Sequence, residues 1–192
     1  MTPSRTIACA LAWIALVVAL IATSERRDVH PGDPGAPPAA WPTGTTLRPG
    51  GVTLVMLVHP RCPCTVVSLE ALDDLLRAAR GPARAYVLVV VPAGAPVGFE
   101  EAAALERARA LAGVTVVVDA DGREAARFGA RTSGAVVAYD AAGRLRFAGG
   151  LTPARGRRGD TPARAALLTL IDGHAVDDSP AAPVFGCPLE DA

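Results

Sequence analysis

The stretch VTLVMLVHPRCPCTVVSLEALDDLL, residues 52–76, joins an apolar run to an amphipathic pattern through a pair of cysteines. Its first seven residues are almost all apolar, which is typical of a strand buried on both faces. In the second half, Leu69 and Leu72 recur at helical spacing, and acidic residues share the opposite side. The stretch therefore predicts a buried strand followed by a helix, with Cys62 and Cys64 at the turn between them.

Strand and helix patterns continue to alternate along the rest of the chain. The segment DAAG at 140–143 has the composition of a tight turn between two short apolar runs, which predicts a hairpin. Further strands are predicted at 85–91, 114–119, 135–139 and 144–148, and further helices at 99–111, 123–128 and 161–172. The order β-α-β-α-β-α-β-β-α predicts an α/β fold in which parallel strands come first and an antiparallel hairpin comes late.

This order of elements, with cysteines at the end of the first strand, resembles the thioredoxin-like superfamily. The segment DADGREAARFGARTSGAVVAYDAAGRLRFAGG, residues 119–150, is similar to the second half of extracytoplasmic thioredoxin-like and peroxiredoxin-like proteins, and the RedB-like proteins are the branch that it suggests. The resemblance covers roughly residues 50–172. It implies a mixed central sheet flanked by helices, with an exposed nucleophile at Cys62 and a buried resolving thiol at Cys64.

The chain departs from the family pattern in two places. The family separates its cysteines by two residues, whereas only Pro63 stands between them here, and an alignment without a gap would put Arg61 in the place of the first cysteine. The family also has a cis-proline loop that presents backbone to a bound polypeptide, and the matching residues 132–134 contain no proline. A cis peptide without proline costs about 2.5–4 kcal/mol, so a trans peptide is expected there.

The position of the two cysteines favours reactive thiols. A helix N-terminus lowers the pKa of a thiol, and His59 and Arg61 offer positive charge nearby. A disulfide between Cys62 and Cys64 would have to bend the backbone to reach ordinary geometry, and strained disulfides are readily reduced. The predicted activity is thiol–disulfide exchange on a thiol- or disulfide-bearing protein, with no cofactor.

A third candidate catalytic residue, Cys187, stands in VFGCPL near the end of the sequence. Phe185 and Leu189 are expected to dock this segment on the domain. Cys187 could then act as a resolving thiol, form a static bridge to Cys62 or Cys64, or remain a free thiol.

Two other functions stay open at this stage. Three thiolates and the imidazole of His59 would suit copper(I) or zinc, which makes a copper-binding or metal-site assembly protein the first alternative. His174, which follows the last predicted helix, is an unlikely ligand by position. The second alternative is a non-enzymatic interaction module built on the same scaffold.

Residues 6–23, TIACALAWIALVVALIAT, carry no charge, and roughly 17–25 apolar residues suffice to cross a bilayer. A single-pass transmembrane helix is the preferred interpretation, and a signal cleaved near residues 22–24 is the rival. Either places the domain on the extracytoplasmic, periplasmic side. The predicted organisation is an anchor at 1–27, a Pro/Gly-rich linker at 28–50, the domain at 51–174 and a tail at 175–192.

Composition limits what the charged residues can mean. The formal net charge is zero, which gives no support to a nucleic-acid partner. All 19 basic residues are arginine, and the sequence contains no Lys, Asn or Gln, as expected from a GC-rich coding bias. The arginine-rich run at 155–158 is therefore predicted to be a solvated loop.

Overall fold

The structure, a computed structural model, describes residues 3–174 and 182–191. The chain forms two units, one ending at His30 and the other beginning at Pro31. The elements are α1 (Pro3–Val29), β1 (Val52–Val58), α2 (Thr65–Ala78), β2 (Ala83–Val91), α3 (Ala103–Arg109), β3 (Val114–Ala120), α4 (Arg123–Phe128), β4 (Ala135–Tyr139), β5 (Leu145–Gly150) and α5 (Pro162–Ile171). From β1 onward their order is the predicted one.

The second unit is built on one mixed five-stranded sheet in the order β3-β2-β1-β4-β5. Strand β2 runs parallel to β1 and β3, whereas β4 runs antiparallel to β1 and β5. The prediction of a mixed α/β sheet flanked by helices is confirmed, and the arrangement is consistent with a thioredoxin-like fold. Because β1 is the central strand, the loop that follows it lies in the middle of the sheet, at the carboxyl end of β1.

Apolar clusters cover both faces of the sheet, which explains why β1 is apolar at nearly every position. On one face, Leu54 and Met56 pack with residues of α2, α3 and α5. On the other face, Val55 and Leu57 pack with residues of α4 and of the flanking segments. A strand buried on both faces cannot alternate polar with apolar residues.

The segment predicted to be a linker packs on the domain. The amide N–H of Ala36 donates to the carbonyl of Gly129 at 2.8 Å. The ring of Trp41 makes edge contacts with Phe128 and Tyr139, in each case with 5.3 Å between centroids. From residue 31 onward this proline-rich segment belongs to the domain unit, even though it forms no helix and no extended strand. Trp41 therefore packs on the domain.

The N-terminal unit contains α1, and most of the described apolar side chains of this helix are exposed; Ile7, Leu11, Trp13 and Ile14 are examples. Within residues 3–174 and 182–191, no helix combines the length and the apolar character that crossing a membrane requires. The transmembrane helix stays a prediction.

Candidate thiol site

Cys62 and Cys64 lie in a turn between β1 and α2. The amide of Cys62 donates to the carbonyl of His59 at 3.2 Å, and the amide of Thr65 donates to the carbonyl of Cys62 at 3.1 Å. Cys64 has helical backbone angles and forms the N-cap of α2. The turn places both cysteines between the carboxyl end of β1 and the start of α2, as the sequence predicts.

The exposure of the two cysteines differs from what the family resemblance implies. Cys62 is buried, with 3% of its surface exposed, whereas Cys64 is only half-buried. The reason is that residues 182–191, here named the C-terminal strap, lie over Cys62. Sequence spacing alone carries no information about such a cover.

The C-terminal strap is anchored by apolar side chains. Val184, Phe185 and Leu189 are buried, with 1%, 6% and 3% of their surfaces exposed. The predicted docking of Phe185 and Leu189 is confirmed. The rest of the predicted tail, residues 175–181 and 192, lies outside the described residues.

Backbone hydrogen bonds fix the register of the strap. The amide of Ser133 donates to the carbonyl of Cys187, and the amide of Leu189 donates to the carbonyl of Arg131, both at 2.9 Å. Thr132 and Pro188 form an antiparallel bridge between these two bonds. This register brings Cys187 to Cys62, 125 residues away in sequence.

The three cysteines lie close enough to shift one another's pKa. The amide of Cys187 donates to Sγ of Cys62 at 3.4 Å. Burial alone would raise the pKa of Cys62, but hydrogen bonds from the Cys187 side chain and backbone, the Cys64 backbone and the Thr65 side chain outweigh it and lower that pKa below the usual thiol value of 9.0. Cys62 is therefore the sulfur that ionises first.

The other two thiols are held in the protonated form. Burial raises the pKa of Cys187 to about 12, with the negative charge of Cys62 adding to the effect. Burial and the charge of Cys62 likewise raise the pKa of Cys64. All of the cysteines are free thiols. The site thus combines one thiol of lowered pKa with two neighbours of raised pKa, which is the arrangement that a resolving step requires.

Arg155 supplies positive charge to this group. Its guanidinium Nη1 donates to the carbonyl of Gly186 at 2.5 Å, beside Cys187. Its charge lowers the pKa of both Cys64 and Cys187, against the larger effect of burial. This role was not predictable from the sequence, because an arginine-rich run of this kind also suits a solvated loop.

His59 and Arg61 make contacts with groups other than the sulfurs. The amide of Arg61 donates to Nδ1 of His59 at 3.2 Å, so the imidazole proton is on Nε2, which donates to the carbonyl of Asp191 at 2.7 Å. The guanidinium of Arg61 lies 4.4 Å from the centroid of the Phe99 ring. The largest effects on the pKa of Cys62 come from burial and from Cys187, Cys64 and Thr65.

The loop at 132–134 is held by side-chain hydrogen bonds instead of a proline. No peptide bond among the described residues is cis, so the trans peptide predicted here is confirmed. The hydroxyl of Ser133 accepts from the amide of His59 and is hydrogen-bonded to the hydroxyl of Thr65, both at 2.9 Å. The amide of Gly134 donates to the carbonyl of Leu57 at 2.8 Å. These contacts fix the backbone edge that the strap occupies.

Comparisons with known proteins show the fold alone. No protein-family model and no curated protein matches the chain significantly. A hypothetical protein from Sinorhizobium meliloti 1021 aligns with a TM-score of 0.58 at 22% identity, over 84% of this chain and 94% of that chain. An uncharacterized conserved protein from Geobacillus kaustophilus aligns with a TM-score of 0.56 at 16% identity, over 85% and 93% of the two chains. Neither description assigns an activity.

Proposed function

We propose that this chain is a thioredoxin-like protein that carries out thiol–disulfide exchange at Cys62. The observation that supports the proposal is the placement against Cys62 of Cys187, whose amide donates to the Cys62 sulfur, with Cys64 two residues away; these neighbours lower the pKa of Cys62. A thiolate is the nucleophile in disulfide exchange, and a neighbouring thiol is needed to release the intermediate. Both requirements are met within one group of side chains.

The reaction balances with a partner disulfide as oxidant. The Cys62 thiolate attacks one partner sulfur, the partner disulfide breaks, and the first partner thiolate leaves and takes up a proton. Cys64 or Cys187 then loses its proton and attacks the Cys62 sulfur, which releases the second partner thiolate. The partner disulfide gains two electrons, and the protein is left with one internal disulfide. The reverse sequence would oxidise a partner dithiol.

Arg155 favours the second step. While Cys62 is a thiolate, its charge opposes ionisation of Cys64 and Cys187. That repulsion disappears once Cys62 is bonded to a partner sulfur, whereas the charge of Arg155 remains. The resolving thiol therefore ionises more readily after the first step than before it.

The geometry does not favour the metal-binding alternative. Both ring nitrogens of His59 are engaged with backbone groups. In the part of the chain that the structure describes, no group of three or more His, Cys, Asp or Glu side chains is placed to hold a metal ion.

We also propose that the domain resides outside the cytoplasm, where disulfides persist. The support is the uncharged run at 6–23 and the exposed apolar side chains of α1. Protease treatment of intact cells and of spheroplasts, followed by detection of the domain, tests this location. Protection in spheroplasts would contradict it.

An exchange assay with single-cysteine replacements tests the activity. The protein is mixed with a protein disulfide, and the appearance of partner thiols is followed in the presence of a thiol reductant. Cys62→Ser should abolish turnover, whereas Cys9→Ser, on the exposed face of α1, should leave it unchanged. Turnover by Cys62→Ser equal to that of the unchanged protein would refute the proposal. Absence of turnover in the unchanged protein would favour the interaction-module alternative.

A further inference from the structure

The C-terminal strap occupies the backbone edge at which an extended partner segment would have to bind in order to reach Cys62. The amide of Ser133 and the carbonyl of Arg131 are both bonded to the strap. The same register sets the amide of Cys187 against the sulfur of Cys62. The strap thus presents a cysteine to the nucleophile in the manner of an extended substrate.

We propose that the C-terminal strap is an internal competitor of the polypeptide substrate, and that it must leave residues 131–133 before a partner disulfide reaches Cys62. This inference rests on the proposed exchange function and adds its regulation and its substrate class, an extended polypeptide with a disulfide-bonded cysteine. The burial of Cys62 under the strap is the first observation behind it. A partner segment that pairs in the same way needs the amide of Ser133 and the carbonyl of Arg131, which the strap occupies.

The second observation is how closely the strap is fitted to its seat. A Cβ added to Gly186 would lie 2.0 Å from the carbonyl oxygen of Ser133, and a Cβ added to Gly150 would lie 2.7 Å from the carbonyl oxygen of Pro183. Contacts of this length between backbone and a side chain do not occur, so only glycine permits this seating. Phe185 is buried beside Gly186. The strap is therefore seated by specific packing and hydrogen bonds.

The third observation is the set of polar bonds that hold the strap at its sides. The guanidinium of Arg155 binds the carbonyl of Gly186, and the imidazole of His59 binds the carbonyl of Asp191. The amide of Gly32 donates to the carbonyl of Val184 at 2.8 Å. None of these bonds is covalent, so the strap can dissociate without cleavage of a covalent bond when a more tightly bound segment competes.

Two variants of the full chain displace the strap in different ways. Gly186→Ala introduces the clash with Ser133, and Phe185→Ala removes a buried anchor. Gly51→Ala is the matched control, because a Cβ at that position meets nothing within 4 Å. Thermal unfolding of each variant checks that the sheet remains folded. Hydrogen exchange at the Ser133 amide, which donates to the strap, reports whether the strap has left.

The reactivity probe is a short extended peptide whose single cysteine carries a chromogenic thiol leaving group. The strap also donates a hydrogen bond to Cys62, so each rate is divided by the thiolate fraction measured from ultraviolet absorbance. The form that can react is the one in which the strap has left residues 131–133. When this form is a minor population, the apparent rate rises in proportion to it, and we expect about a tenfold rise for both displacing variants. The control should react at the rate of the unchanged protein, with unchanged exchange at Ser133.

Two results would overturn the proposal. The first is faster exchange at the Ser133 amide with no gain in the peptide rate, because the strap would then leave without exposing the site. The second is unchanged amide exchange in both variants, because the strap would then not depend on the packing described. If the unchanged protein and every variant fail to react with any disulfide, the exchange function itself is wrong, and this result is distinct from the other two.

Discussion

Replacing Cys187 with alanine removes one hydrogen-bonding side chain from the Cys62 thiolate and leaves the backbone amide in place. A hydrogen bond to a charged group contributes about 1.5–3 kcal/mol, and the lower figure applies because Cys187 is half-exposed. About 1.4 kcal/mol corresponds to a factor of ten, so the thiolate population of Cys62 at low pH should fall about tenfold. The pKa of Cys62 should therefore rise.

Nucleophilicity partly compensates for this loss. The reactivity of a thiolate increases with its pKa with a coefficient of about 0.4–0.5, so a tenfold change in acidity changes intrinsic reactivity about threefold. The variant should react about threefold more slowly than the unchanged protein where Cys62 is mostly protonated. It should react about threefold faster where Cys62 is fully ionised in both. The two pH–rate curves should therefore cross.

The assay is the rate of alkylation of Cys62 by a small reagent across a range of pH, with the modified residue assigned by mass spectrometry. Cys9→Ala is the control and should reproduce the original curve, because Cys9 is exposed on α1. Curves that coincide would show that the Cys187 side chain does not stabilise the thiolate. A uniform loss of rate at every pH would point to altered access and would also refute the electrostatic reasoning.

Three further predictions concern the domain around the site. Trp41→Ala should lower the free energy of unfolding by about 2 kcal/mol, because it removes a half-buried ring that packs on two buried rings. Trp13→Ala on α1 is the control and should leave this free energy unchanged, because Trp13 is exposed. Denaturant unfolding measures both variants, and equal effects would contradict the docking of the segment that carries Trp41. Asp119→Ala should cost about 2 kcal/mol in the same assay, because its buried carboxylate accepts two amide hydrogen bonds from the first turn of α4. Burial raises the pKa of Tyr139 to about 12, so its contribution to stability is complete below pH 10.0 and declines as pH rises toward 12. Tyr139→Phe should remove that part of the decline, and an unchanged alkaline profile would contradict the assignment.

The regular elements were predictable because their signals are local. Strand β1 has the bounds that its apolar run predicts, and the same is true of α4 and β4. The cysteine turn was predictable for the same reason, since a strand, a turn and a helix follow each other within residues 52–76. Patterns of period two or 3.6 reflect which side of an element is buried, and they require no knowledge of the partner.

The arrangement around the thiols depends on contacts between distant parts of the chain. Residues 31–50 dock on the domain because Trp41 contacts the rings of Phe128 and Tyr139, which are distant in sequence. The composition of the segment alone favours a linker. Phe185 and Leu189 indicated that the tail docks, but nothing in their spacing predicts the register that sets Cys187 on Cys62. Arg155 was missed because its role depends on which sulfurs surround it. The burial of Cys62 was missed because the segment that covers it, residues 182–191, lies more than a hundred residues away in sequence.

The central claim is that three sulfurs form one reversible redox group, and disulfide mapping across a graded thiol–disulfide buffer tests it most directly. Cleavage after Arg61 and Arg77 leaves Cys62 and Cys64 on one peptide and Cys187 on another, so a Cys62–Cys64 bond differs in mass from a bond to Cys187. Fragmentation of the cross-linked peptides then shows whether Cys62 or Cys64 is bonded to Cys187. We expect Cys62 to form a disulfide with Cys64 or Cys187 that opens and closes with the poise of the buffer. A Cys62 thiol that remains free at every poise of the buffer, in a folded protein, would contradict it.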